Sequence, residues 1–361
     1  VQLQNHVSEE VYQKAMGIYE WANRRYLRPD LAIVAQLQRS VECSKQFVAA
    51  RESGGDCQHL HLQEWHGAPE PLHCQHCNKA ITDFGWDDDR IAQERALAQT
   101  AAEEDKKYSE EENSTHCHAR GISAAFLLAF TFAHDCWDWP TWKVQRDIIK
   151  PATFENGRRR YADLPECQGH TGPATVFISH CWGAPWGDLV AAACSNADPA
   201  RMVWNDLFAV RQWPGNVADL DFSGVVARCD AFMLVTTSIP EVARMDIDDI
   251  GIRGARPSVE HRKLLAFFRV WCLVEIGAAL KASKSVVMKC GCHVKEGDSN
   301  GPAVRFEPNR DMLKKMQWMV NVMEAEATVT ADRDRILKQV QEEMGGAAGL
   351  NSLVVGAIQG A

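Results

Sequence analysis

Apolar positions along the first fifty residues recur at helical spacing. Val11, Met16, Tyr19, Leu31, Val34, Leu37 and Val48 fall on this period, and "RPD" at 28–30 divides the run, so residues 1–52 read as a helical hairpin. The pattern then lapses. Residues 53–114 combine a Cys/His-rich loop with acidic runs ("DDD", "EED", "SEEE"), predicting a loop followed by a solvated helix or linker. Residues 115–171 read as a helical, tryptophan-rich segment that packs on the next domain. It is built on the buried-helix candidate "ISAAFLLAFTFAHDCW" and on Trp137, Trp139 and Trp142.

Beyond residue 172 the period changes again. "ATVFIS" (174–179), "RMVWND" (201–206), "AFMLVTT" (231–237) and "SVVMKC" (285–290) are β-branched or continuously apolar and of strand length. Helical patterns at 186–196, 219–228 and 260–282 separate them. Strand and helix in alternation predict parallel βαβ units, an α/β domain over 172–330 with both sheet faces covered. "DMLKKMQWMVNVMEAEA" and "ADRDRILKQVQEEM" are amphipathic, and 331–361 reads as a C-terminal helical extension.

Composition narrows the function classes. With 361 residues, 46% of them apolar, the chain can bury a substantial core. A net charge of −9 with no long basic tract argues against nucleic acid or an anionic membrane as partner. No apolar run approaches the roughly 20 residues needed to span a bilayer. The N-terminus lacks the order of a signal peptide, and a start at Val1 is compatible with a fragment of a longer chain. Thirteen dispersed cysteines suit reduced, buried thiols, so a cytoplasmic location is expected.

Candidate chemistry gathers where the strands end. In an open parallel sheet, ligands bind outside the carboxyl ends of the strands. The first three strands run into "SHCWGAPWGD", "NDLFAVRQWPGN" and "TTSIPEVARMD", placing Ser179, His180, Trp182, Asp206 and Trp213 near one cleft suited to a planar, sugar-bearing ligand. The competing account makes the Asp and Ser residues helix caps and the tryptophans gap fillers. Glu275 lies within the apolar helix "FRVWCLVEIGAAL", with Trp271 and Ala279 one turn away on either side. A carboxylate so placed is partly desolvated and its pKa is raised. It either serves a cleft or forms a salt bridge with an arginine such as Arg211 or Arg244.

These motifs resemble Toll/interleukin-1 receptor (TIR) domains, in particular a branch from algae and protists. "VFISHCWG" is similar to the family's first strand, "VWNDLFAVRQWPGN" to the second strand and its loop, and "AFMLVTTSIP" to the third. "RVWCLVEIGAAL" resembles the family's W-C-x-x-E helix. The resemblance covers roughly 172–330. It implies a flavodoxin-like open parallel sheet and, as in enzymatic members, an NAD glycohydrolase cleaving the ribose–nicotinamide bond in signalling or defence. Glu275 would be the catalytic carboxylate, and Ser179, His180, Trp182, Asp206 and Trp271 would contact NAD as substrate. The alternative within the family is a non-enzymatic adaptor, and self-association through the TIR-like domain is expected on either reading. Two stretches depart from the family's pattern: "RMDIDDIGIRGARPSV" (244–259) is long and charged, and "HCWGAPWGD" replaces the usual residues after the first-strand serine.

Cys57, His61, Cys74 and Cys77 form a C-x3-H-x12-C-x2-C set suited to a structural zinc ion, in a segment short of core-forming residues. A flexible His-rich loop is the alternative. "CGCH" at 290–293 reads only as a strand end. A cysteine hydrolase is disfavoured, because His180 and Cys181 are sequential on a strand and so face apart. A Rossmann site is disfavoured too, since the first strand is not followed by G-x-G-x-x-G.

Overall fold

Four apolar runs form the centre of one seven-stranded sheet in a computed structural model that describes residues 26–52, 62–63, 73–74, 80–105, 108–154, 156–298, 301–327 and 330–360. The strands are β1 (Gly121–Ser123), β2 (Thr171–Gly172), β3 (Val176–His180), β4 (Met202–Trp204), β5 (Ala231–Thr237), β6 (Ser285–Asp298) and β7 (Gly301–Pro308). Their spatial order is β2-β1-β4-β3-β5-β6-β7. The pairs β4–β3, β3–β5 and β5–β6 are parallel, in the order of a doubly wound, flavodoxin-like sheet. Antiparallel strands flank this centre: β1 pairs with both β4 and β2, and β7 returns from β6 as a hairpin. The fold is therefore mixed α/β, a helix-flanked sheet that is parallel only in its middle.

The longer helices among the described residues are α1 (Leu31–Gln36), α2 (Gln38–Glu52), α3 (Asp88–Asp105), α4 (Glu110–His118), α5 (Ala124–His134), α6 (Trp186–Cys194), α7 (Phe222–Arg228), α8 (Val270–Lys281), α9 (Arg310–Met316), α10 (Thr330–Glu343) and α11 (Gly346–Gly360). The strand period of two sorts them into layers. Phe177, Trp204, Phe232 and Leu234 face a core shared with α7, α8, α10 and α11. Ile178, Val203, Met233 and Val235 face the opposite core, with α5, α6 and Leu37. Caps mark several helix starts: Ser123 Oγ accepts from Phe126 N at 3.2 Å at α5, and Ser109 with Glu112 closes a capping box at α4.

Three departures from the sequence expectation have physical reasons. First, the helix expected over 260–282 is broken into Val259–Arg262, a 3-10 turn at Ala266–Phe268 and then α8. Leu265, Ala266, Phe267 and Phe268 are all buried, and a run without a polar face sinks into the core rather than lying on it as a helix. Second, the helix expected over 311–327 stops at Met316. The chain then turns inward so that Glu326 N donates to Phe268 O at 2.9 Å and Glu326 O accepts from Val270 N at 3.1 Å, which pins the start of α8. Third, the strand expected over 285–290 continues to Asp298 and joins β7, a strand the pattern did not announce.

At the rim, Leu27 exchanges both backbone hydrogen bonds with Val304 of β7 (N to O, 2.6 and 3.0 Å). Pro302 and Pro308 lie on the same strand. Of the zinc set, Cys57, His61 and Cys77 lie outside the described residues, whereas Cys74 is buried at the end of a two-residue pairing, His73–Cys74 with Leu62–Gln63. Among the described residues no cluster of three or more His, Cys, Asp or Glu side chains is arranged to hold a metal ion, and no helix is long and apolar enough to cross a membrane.

Candidate functional site

Parallel order places the first strand, β3, between its two successors, so the crossovers leave it in opposite directions and open the sheet at its carboxyl end. Alternation along β3 settles which side chains face this point from which layer. Ser179, in step with Phe177, faces α8; its side chain is buried and its Oγ has no hydrogen-bond partner. His180 faces the opposite layer, where Nε2 lies 3.0 Å from Thr141 Oγ1 and the ring meets Trp186 edge to face at 6.3 Å. Burial pushes the His180 imidazole down to about 3, so it stays neutral.

Glu275 lies in the second turn of α8, the layer that Ser179 faces. Its carboxyl is set deep among protein atoms while the residue as a whole is half-buried. Burial pushes its pKa up to about 8, opposed by the pull of the Ser179 hydroxyl and reinforced, to a lesser degree, by the charge of Asp206. That hydroxyl approaches the carboxyl closely enough to favour its charged form, short of a well-formed hydrogen bond. Among the described residues no arginine figures in what acts on Glu275. Cys272, one turn earlier, donates its thiol to His180 O at 3.4 Å, and burial holds the thiol protonated.

Asp206 follows β4 and opens a short helical turn, Asp206–Ala209, capped by Asn205 through Leu207 N at 3.1 Å. Its Oδ2 accepts the Trp182 indole N–H at 2.7 Å, joining the loops after β3 and β4. Its Oδ1 is buried without a partner. Burial pushes this carboxyl up to about 6, opposed by the Trp182 bond. On β5, Thr236 alternates with Leu234 and so faces the same layer, and its Oγ1 is also buried without a partner. Buried polar atoms in folded proteins are nearly always satisfied. Ser179 Oγ, Asp206 Oδ1 and Thr236 Oγ1 at the ends of three adjacent strands thus mark a place where a polar ligand or water completes the structure. The segment before α8 lies beside it: Cys181 Sγ donates to Lys263 O at 2.9 Å, and only a glycine at 183 lets that carbonyl approach, since a Cβ there would sit 2.6 Å from it.

Of the residues singled out in the sequence, the structure brings Ser179, Trp182, Asp206 and Glu275 together. Trp271, one turn before Glu275, leans outward against Phe222 at 5.8 Å with Arg335 over its ring. Trp213 is held elsewhere by Thr153 Oγ1 at 2.9 Å. Sequence reasoning passed over Thr236, although the alternation of "AFMLVTT" carried the signal. It also passed over a second polar cluster on the opposite layer, where Asp188 Oδ1 binds His293 Nδ1 at 2.7 Å and Asp138 Oδ1 lies 3.1 Å from His293 Nε2. Each of those contacts is satisfied, as in a structural network. Comparison with family models, with curated proteins and with solved structures finds no match to this chain.

Proposed function

We propose that the chain is a TIR-like NAD glycohydrolase in which Glu275 is the catalytic carboxylate. One observation carries the reading: Glu275 sits with Ser179 and Asp206 at the switch point of a flavodoxin-like sheet, among buried polar atoms that lack partners. Breaking the ribose–nicotinamide bond develops positive charge on the sugar, which a fixed carboxylate in a low-dielectric setting stabilises. The nicotinamide ring of NAD is itself cationic, so its arrival beside Glu275 favours the ionised carboxylate despite its raised pKa in the free protein. Nicotinamide leaves as a neutral molecule and needs no strong acid. Ser179 and Thr236 supply ribose contacts, whereas His180 serves the opposite layer.

The test is nicotinamide release from NAD at high protein concentration, with Glu275→Gln as the comparison. The variant is expected to lose about 10²-fold or more of the rate. Equal rates in both proteins, or no release from either, would refute the reading.

A second reading, a self-associating adaptor, draws on one surface observation. Ile252 is 80% exposed and Trp318 is 52% exposed, and the Trp318 ring lies beside Gly251, so a large apolar group from the segment before α8 and one from the turn after α9 meet the solvent near one another.

A further inference from the structure

Asp206 offers two oxygens in unlike circumstances. Oδ2 is fixed by the Trp182 indole at 2.7 Å, while Oδ1 is buried without a well-formed hydrogen bond, the backbone N–H groups of Leu207 and Asp206 exerting only a weaker pull on the carboxyl. Leaving a buried carboxylate oxygen poorly paired is costly, so a fold keeps such an atom when something else pairs with it. Ser179 Oγ and Thr236 Oγ1 share that condition on the same side of the sheet, and the charge of Asp206 reaches Glu275 on α8. A small polar molecule among these groups would find one acceptor-only carboxylate oxygen, two hydroxyls and a second carboxyl. Water fits that description.

We propose that Asp206 is a second catalytic carboxylate, the general base for the water that attacks the anomeric carbon. The inference rests on the NAD-cleaving reading and divides labour within it. The C1′–N bond breaks, its electron pair leaves on nicotinamide, and the water oxygen bonds to C1′. The proton that water loses passes to Asp206 Oδ1 and then to solvent. NAD and water thereby give ADP-ribose, nicotinamide and one proton. Glu275 stabilises the cationic sugar, and the Trp182 N–H on Oδ2 leaves Oδ1 as the basic atom. The two carboxyls also titrate apart, Asp206 near 6 and Glu275 near 8, each raised first by burial. Near neutral pH Asp206 is therefore the ionised member of the pair in the free protein. Beside Glu275 the titratable or charged groups are Cys272 on α8 and, around that thiol, Cys181 after β3 and Arg269 at the start of α8; burial keeps both thiols neutral.

The experiment separates attack by water from attack by a nucleophile that has no proton to lose. Nicotinamide release, ADP-ribose formation and base exchange are followed together with 3-acetylpyridine in excess. Wild type is expected to do both reactions. Asp206→Asn should lose hydrolysis by about 10²-fold or more while keeping most of its exchange, whereas Glu275→Gln should lose both. Equal loss of hydrolysis and exchange in Asp206→Asn would overturn the role of Asp206 and leave NAD cleavage standing. Wild type that releases no nicotinamide overturns both. Should Asp206→Asn fail to fold, the wild-type ratio of hydrolysis to exchange decides. The ratio should fall as pH drops below about 6, and a flat ratio from pH 5 to 7 overturns the proposal.

Discussion

Glu275 holds its proton more tightly in the folded chain than an ordinary glutamate does, with a pKa of about 8 against 4.5. Its contribution to stability is therefore fully present below about 4.5 and is lost as pH rises through about 8. Glu275→Gln removes the titration, so its melting temperature relative to wild type should climb between pH 5 and pH 8.5, by at least about 2 °C. A constant difference across that range would show that the carboxyl is not desolvated. In the same enclosure, kcat/KM for NAD should rise with pH through about 8 as the free enzyme's Glu275 ionises. At this scale the sequence was informative where a period fixes direction. The helical period set Glu275 among apolar neighbours, and the strand period could have told Ser179 from His180, which face opposite layers. The bond from Trp182 to Asp206 was not legible, because it joins two loops 24 positions apart and depends on how two strands sit side by side.

Elements carry the site through a few close approaches. α8 is clamped from behind by α11, and Gly277 is the point of contact: a Cβ there would lie 2.8 Å from Leu350 Cδ1 and 3.0 Å from Met344 Sδ. Gly277→Leu should overpack this seam and destabilise the protein by about 1–3 kcal/mol, read as a lower midpoint in urea. Because the displaced helix carries Glu275, nicotinamide release should fall with it. The four central strands and the helix after the first of them were readable, since each has a clear period and turn-forming ends. The antiparallel strands β1, β2 and β7 were not. Two of these have only two or three residues, and β7 mixes two prolines with charges, so neither composition nor alternation marks it. Likewise, the break between Arg262 and Val270 follows from burial on every side, which a one-dimensional pattern does not reveal.

For the whole molecule, the order of the parallel strands sets the site and the helical layers set the outer surface. If the patch at Ile252 and Trp318 joins two copies, sedimentation should show mass rising with protein concentration, and Trp318→Glu should abolish the rise while leaving the fold intact. Mass independent of concentration would remove this surface as an interface. The two rims of the sheet bear on how such copies meet. On one rim β7 contains Pro302 and Pro308, which have no N–H to offer, and Leu27 already occupies the backbone of Val304. On the other, β2 is only two residues long. Among the described residues neither rim offers a long unpaired edge to an incoming strand, which disfavours growth of the sheet by edge pairing. Any polymer this chain builds is therefore expected to be stitched through its helices, with the sheets of successive copies kept apart rather than fused into one.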